Sequence, residues 1–103
     1  MFKLVQYRVK PEKIEENQGL IAAVFRELAA NAPEDVDYLV FQLDDDTFCH
    51  LVSDPSDVLK RLEAFAAFQH NGDARRLTVP LQNRAGIIGS YPFAVGKKVS
   101  LGG

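Results

Sequence analysis

Apolar residues recur with a period of two along four segments of the chain, which is the spacing of side chains on a β-strand. This pattern predicts strands at Phe2–Val9, Val36–Leu43, Thr47–Ser53 and Arg84–Tyr91. The second and third strands are apolar on both parities, so we expect both of their faces to be buried.

A helical period separates the first two strands. Pro11 suits the first turn of a helix, acidic residues follow it, and apolar residues then recur at intervals of three and four. The helix should end near Asn31, because Pro33 cannot continue it.

A second helix is predicted after the third strand. Asp54 is placed to act as its N-cap and Pro55 as its first helical residue. The Asn71-Gly72 pair indicates its end. Its buried stripe is formed by Leu59, Leu62, Phe65 and Ala66.

The three consecutive aspartates between the second and third strands predict a turn. Asp44, Asp45 and Asp46 lack the alternating spacing of a calcium loop, and the twelfth position from Asp44 is Pro55 rather than glutamate. Short acidic side chains bond neighbouring backbone N–H groups and tolerate tight turns. We therefore interpret this stretch as a solvated hairpin turn.

The order strand, helix, strand, strand, helix, strand predicts an α+β, ferredoxin-like fold. One four-stranded antiparallel sheet would carry both helices on one face, within a single domain over residues 1–91. The other face would expose Leu39, Phe41, Cys49 and Leu51, which predicts a homodimer packed sheet against sheet. Residues 92–103 are expected to form a mobile or partner-contacting tail.

Composition narrows the possible partners. The 103 residues are 47% hydrophobic and 25% charged, with a net charge of −2, as in an ordinary globular domain. Without a basic, aromatic-rich run or a long apolar segment, we expect neither a nucleic-acid nor a membrane partner. The single cysteine, Cys49, fits a reducing compartment, and we expect a cytoplasmic protein.

Several segments resemble small dimeric α+β barrel proteins of the antibiotic-biosynthesis-monooxygenase type. They are YRVKPEKIEENQGLIAAVFREL, YLVFQLDDDTFCHLV, LEAFAAFQ and AGIIGSY, and the resemblance covers Leu4 to Tyr91. It implies a dimer joined through its sheets, with a pocket between sheet and helices in each subunit. Enzymes of this type oxidise quinols or polyketide aromatics with molecular oxygen and without metal or flavin, so no cofactor is expected, although relatives bind haem.

Two residues are candidates for catalysis. His50 shares a face with Phe48 and Val52, which the resemblance turns toward the pocket, and a histidine there is suited to act as a base near neutral pH. The alternative is a core histidine bonded to a backbone carbonyl. Asn17 interrupts the apolar stripe of the first helix, either as a donor to a substrate oxygen or at a half-exposed helix edge.

Five further residues are candidates for contacts with a small aromatic ligand. Aromatic rings in strands usually pack, but a tyrosine at a pocket wall also offers a hydroxyl to a quinone oxygen. Polar residues after the second helix are placed to close the pocket. These candidates are Tyr7, Tyr38, Phe48, Gln69 and His70.

These observations favour a cofactor-free monooxygenase-like protein that acts on a small aromatic or quinol. The alternative is a non-catalytic homodimer of the same fold that binds a small ligand or has a structural role. The state of His50 distinguishes the two, because a catalytic histidine needs an accessible ring nitrogen and a structural one is sealed by main-chain bonds.

Overall fold

The computed structural model describes residues 1–92 and contains the predicted order of elements. Its helices are α1 (Ile14–Asn31), α2 (Glu63–Gln69) and the four-residue α3 (Gly72–Arg75), with 3-10 turns at Pro11–Lys13 and Leu59–Arg61. The strands are β1 (Phe2–Arg8), β2 (Asp37–Gln42), β3 (Thr47–Ser53) and β4 (Leu81–Ala85). All but the first residue of the predicted tail, Pro92 to Gly103, lie outside the described residues.

The strands form one antiparallel sheet in the order β2-β3-β1-β4. Side chains from β1 and β3 meet α1 on one face, where Tyr7 and Phe48 pack with Ile21. A second cluster joins Val24 of α1 to Leu59 and Leu62. We call this face of the sheet the helix face and the opposite one the open face. The α+β, ferredoxin-like class predicted from the sequence is confirmed.

The predicted first helix and the hairpin turn are present. α1 ends at Asn31, and Ala32 follows it in the left-handed region, donating its N–H to the Leu28 carbonyl. In the turn, the carboxylate of Asp45 accepts the Thr47 N–H at 3.1 Å. Hydrogen bonding to the side chain of Thr47, and then to its backbone N–H, lowers the pKa of Asp45. The acidic residues therefore shape the hairpin through local hydrogen bonds.

The second helix does not begin at Pro55, as predicted. Residues after Asp54 form a turn and a 3-10 segment, and Leu62 is extended (φ −89°, ψ 132°), so α2 starts only at Glu63. The break allows Leu59 and Leu62 both to reach the core. A backbone N–H in the first turn of α2 finds its acceptor outside the helix, since Ala64 donates to Glu27 Oε1 of α1 at 2.8 Å.

The last strand also differs from its prediction. β4 ends at Ala85, which pairs with Phe2, the first residue of β1. Beyond that point β1 offers no further partner, because strand pairing requires a neighbouring backbone. The apolar alternation that predicted a strand as far as Tyr91 therefore continues in residues that are exposed, including Ile88.

The open face is less exposed than predicted. Phe41 is 43% exposed, but Cys49 is buried, although no second layer of residues 1–92 covers this face. Its direct cross-strand neighbours are Gln6 and Phe41, and the Gln6 amide approaches the Cys49 sulfur at 3.7 Å. The prediction that Cys49 contributes to an exposed patch is therefore wrong, because flanking side chains cover a small residue on a central strand.

Asp54 stabilises the irregular segment before α2. Its two carboxylate oxygens accept the N–H groups of Val58 and Leu59, each at 2.9 Å. We expect Asp54→Ala to lower the free energy of unfolding by about 1 kcal/mol, the usual effect of losing a cap. Denaturant titration would measure it, with Asp44→Ala in the exposed hairpin turn as the control. Equal stability of the two variants would contradict this role.

Candidate functional site

A cavity of about 820 Å³ opens between the helix face of the sheet and the segment from Ser53 to Gln69. Its wall is partly apolar, with Val5, Val52, Phe65 and Phe68 among the lining residues. Polar groups converge on the same wall, since Tyr7, Tyr38 and His50 also line the cavity. This combination of an apolar hollow and a few placed polar groups is typical of small-molecule sites.

The polar groups form one continuous chain of hydrogen bonds across five elements. His50 Nδ1 lies 2.7 Å from the Tyr38 hydroxyl, and His50 Nε2 lies 2.8 Å from the Tyr7 hydroxyl. Asn17 Nδ2 donates to the Tyr7 oxygen at 3.1 Å, and Arg75 Nε donates to Asn17 Oδ1 at 3.1 Å. The chain thus runs from α3 through α1, β1 and β3 to β2.

Arg75 sets the direction of this chain because a guanidinium only donates. It fixes Oδ1 of Asn17 on its own side, which turns the amide nitrogen of Asn17 toward Tyr7. The Tyr7 oxygen therefore accepts from Asn17. Its own proton has one remaining partner in the described structure, which is Nε2 of His50.

The tautomer of His50 follows from the same reasoning. If Nε2 accepts from Tyr7, the proton of the neutral ring lies on Nδ1 and is donated to the Tyr38 oxygen. The Tyr38 proton then has no acceptor among the described protein groups. Because Tyr38 lines the cavity, the chain ends in an O–H donor that is available to a ligand.

Burial keeps His50, Tyr7 and Tyr38 in their neutral forms. His50 is packed among the rings of Tyr7, Tyr38 and Phe68, with centroids 5.3 to 5.8 Å away, and desolvation lowers its pKa to about 4. Burial raises the pKa of Tyr7 and, more strongly, that of Tyr38. At neutral pH the histidine is therefore uncharged and both tyrosines are hydrogen-bond donors.

Arg75 is the charge at the inner end of the chain. It is 3% exposed, and its other two nitrogens donate to the backbone carbonyls of Phe68 and His70. Its guanidinium carbon lies 5.5 Å from the centre of the Phe68 ring. Among the described residues no carboxylate pairs with it, so its charge is held by neutral acceptors alone.

The structure brings four of the predicted site residues together: Asn17, Tyr7, Tyr38 and His50. Gln69 also lines the cavity. Phe48 instead stacks on Tyr7, with centroids 5.8 Å apart, and lines a separate shallow hollow beside α1. The His70 side chain is exposed and contributes only its carbonyl, to Arg75.

Arg75 was not identified from the sequence. It stands next to Arg76 in a polar run after the second helix, where a charged residue is ordinarily solvated. The tight turn of α3 directs it inward while its neighbour Arg76 bonds Asp73 at the surface. No periodic pattern in a four-residue helix signals this difference.

Two features are absent from the described part of the protein. None of the helices within residues 1–92 has the length and apolar character needed to cross a membrane. In the same part of the chain, no three histidine, cysteine or acidic side chains lie close enough together to hold a metal ion.

The state of His50 can be observed directly. We expect nitrogen-detected NMR of the ring to show the Nδ1–H tautomer and a midpoint of protonation near pH 4, against an ordinary value of 6.5. A ring that carries both protons at pH 6, or an Nε2–H tautomer, would contradict the direction derived for the hydrogen bonds.

The same shift predicts a dependence of stability on pH. Between pH 6.5 and about pH 4, His50 is protonated in the unfolded chain but stays neutral in the folded protein. The free energy of unfolding therefore decreases by about 3 kcal/mol as the pH falls through this window. Denaturation at several pH values would show it. The decrease should be absent in His50→Gln and retained in His70→Gln.

Comparison with known proteins identifies the fold. No family model and no curated protein sequence matches the chain. Among solved structures, a conserved protein from Methanosarcina mazei is similar over 80% of this chain and 87% of its own, with 21% identity and a TM-score of 0.62.

Two other solved structures are similar at the same level. An antibiotic biosynthesis monooxygenase is similar over 86% of this chain and all of its own, with 18% identity and a TM-score of 0.65. A candidate antibiotic biosynthesis monooxygenase from Caulobacter crescentus has 17% identity and a TM-score of 0.64, over 80% of this chain and 83% of its own. The resemblance predicted from the sequence is thus confirmed at the level of structure, and the chain has the ferredoxin-like α+β fold found in antibiotic biosynthesis monooxygenase structures.

Proposed function

We propose that this protein is a cofactor-free monooxygenase-like enzyme that oxidises a small aromatic or quinol with molecular oxygen. One observation carries the proposal: a directed chain of hydrogen bonds, from Arg75 to Tyr38, ends in the wall of an aromatic-lined cavity. The similarity to monooxygenase structures supports the same class of reaction.

The cavity suits an aromatic ligand. Its volume of about 820 Å³ lies within the range of small-molecule sites. Phe65 and Phe68 supply ring faces and edges, and Val5 and Val52 form the floor on the sheet. A flat apolar ring is held by such surfaces through burial of its area, while its hydroxyl seeks a polar partner.

Tyr38 is the proposed group that touches the substrate. Its free O–H would donate to a phenolic oxygen, and the bond strengthens as that oxygen loses its proton and becomes charged. The charge of Arg75 polarises each bond in the sequence Asn17, Tyr7, His50, Tyr38 in the same sense. This chain of hydrogen bonds therefore favours the ionised form of the ligand.

His50 is better suited to position Tyr38 than to abstract a proton itself. Both of its ring nitrogens are bonded to tyrosine hydroxyls, and a pKa of about 4 makes it a weak base at neutral pH. The hydrogen-bond partners of its ring are side chains of the site and not main-chain groups. The role of base expected from the sequence is replaced in this proposal by that of a neutral relay.

Ionisation of the ligand, with its proton released to solvent, is the step that opens the reaction with oxygen. A phenolate or the enolate of an anthrone-like substrate is electron-rich and transfers electrons to O2 more readily than the neutral form. For an anthrone-like substrate a ring CH2 becomes C=O, one oxygen atom enters the product and the other leaves as water with the two hydrogens. A hydroquinone instead gives up two protons and two electrons to O2, which yields the quinone and hydrogen peroxide. Desolvation in the cavity strengthens the Tyr38 bond to the anion.

Oxygen uptake tests the proposal. With the purified, metal-stripped protein and a panel of hydroquinones and anthrone-like phenols, we expect uptake that Tyr38→Phe reduces about 100-fold in kcat, the usual effect of removing one such donor. Tyr91→Phe, at an exposed tyrosine outside the cavity, should leave the rate unchanged. His50→Ala should also reduce uptake.

If uptake in the intact protein does not exceed that of Tyr38→Phe and His50→Ala, the enzyme proposal fails. A bound ligand detected without turnover would then favour the non-catalytic binding protein of the same fold. Thermal unfolding of each variant would show that lost uptake does not reflect lost structure.

We also propose that two copies pair through their open faces. The two middle rows of this face hold uncharged side chains on all four strands: Leu4 and Gln6, Leu39 and Phe41, Cys49 and Leu51, Leu81 and Asn83. Phe41 and Leu81 remain 43% and 65% exposed in the single chain. The charged residues of the same face, Arg8 and Asp37, lie in the rows at its two opposite ends. Because the middle rows carry no charge, an isologous pairing of this part of the surface with itself is favourable.

Oligomeric state checks this proposal. We expect light scattering at micromolar concentration to give twice the mass of the chain. A charge on an inner strand of the face, as in Leu51→Glu on β3, should give the monomeric mass, because each interface would bury two carboxylates without partners. Glu15→Gln on the exposed side of α1 is the control. A folded wild-type monomer would contradict the proposal.

A further inference from the structure

Four residues form one row across the helix face at the mouth of the cavity. Tyr38 is opposite Val52, Val52 is opposite Lys3, and Lys3 is opposite Arg84. Residues directly opposite one another project from the same face of a sheet. All four line the cavity, so the row begins with the hydroxyl donor and ends with two cations.

The pairing of Lys3 with Arg84 places two like charges directly opposite each other. Such a pair destabilises a sheet unless a counter-ion lies between its members. Neither cation takes part in an ion pair or side-chain hydrogen bond within residues 1–92. The other two cations of the cavity wall differ, since Lys60 pairs with Asp57 at 3.8 Å and Arg76 with Asp73 at 2.7 Å.

The carboxylates of the cavity wall do not compensate this pair. They belong to Asp54 and Asp57. Asp54 accepts two backbone N–H groups of its own segment, and Asp57 faces Lys60. The wall is therefore basic at its β4 end, although the chain as a whole carries a net charge of −2. The positive charge at this end of the cavity attracts an anionic ligand.

We infer that the cavity takes an aromatic acid whose carboxylate lies between Lys3 and Arg84 while its ring hydroxyl meets Tyr38. The inference rests on the proposed ligand site and names its substrate class. Two strand spacings separate Tyr38 from Lys3, which is about 10 Å between Cα atoms. A ligand with its hydroxyl and carboxylate at opposite ends spans this distance over Val52.

The geometry assigns a distinct task to each end of the ligand. Tyr38 meets the oxygen that ionises, and the basic pair selects the molecule and fixes its orientation. Arg84 presents a planar fork that matches a carboxylate, while Lys3 adds a point charge. Both groups lie at the exposed margin, so their contribution depends on ionic strength.

Binding of matched probes tests the inference without requiring turnover. Calorimetric titration would compare 4-hydroxycinnamate with its neutral methyl ester in low salt. We expect the acid to bind roughly fivefold more tightly than the ester, the upper end of the range for an exposed charge contact. Lys3→Met and Arg84→Met should each reduce this ratio, and the double variant should abolish it.

Arg26→Met is the matched control, because Arg26 is an exposed cation of α1 that does not line the cavity. Its preference for the acid should equal that of the unmodified protein. Equal binding of acid and ester, a preference that survives the double substitution, or no binding of either probe would overturn the inference. Tight, charge-dependent binding without oxygen uptake would retain it while refuting the proposed oxidation.

Discussion

The buried guanidinium of Arg75 is the constraint on which the site depends. A cation removed from water and given no carboxylate must satisfy its donors with neutral oxygens, and Arg75 does so with Asn17 and two backbone carbonyls. This requirement orients the Asn17 amide, and the amide then determines which way each following hydroxyl and ring nitrogen donates. One fixed charge thus sets the proton positions of four other residues.

The same chain of bonds holds the fold together. Asn17 joins α1 to β1, the His50 ring joins β1, β3 and β2, and Arg75 ties the residues after α2 back to α1. No buried side-chain nitrogen or oxygen in the described part of the chain lacks a partner. A fully satisfied polar network of this kind rigidifies a core, because breaking any one bond leaves a buried group unpaired.

Sequence reasoning predicted the sheet, the first helix and four members of the hydrogen-bond chain, Asn17, Tyr7, Tyr38 and His50. The alternation in β1 and β3 places Tyr7 and His50 on one face, because strand side chains alternate, and the polar break in the α1 stripe marks Asn17. Two features were beyond such reasoning. β4 ends at the residue that pairs with the first residue of β1, because β1 has no further backbone to pair with. Arg75 points inward from a helix of only four residues. Both features depend on tertiary contacts, which a local sequence period does not predict.

In the proposed site, the position of Tyr38 lets a rigid core present a hydrogen-bond donor to a ligand. Asn17 is sealed inside and Tyr7 is 5% exposed at the cavity wall, with its hydroxyl bonded to Asn17 and His50. Tyr38 stands on the outer strand β2 and shares the cavity wall with Val52. Burial raises the pKa of Tyr38 and keeps the proton on its oxygen, so in the proposed function the hydroxyl would donate to an anion and remain protonated. The same hydrogen bonds that stabilise the core also hold the Tyr38 hydroxyl at the cavity wall, where the proposed function requires a donor.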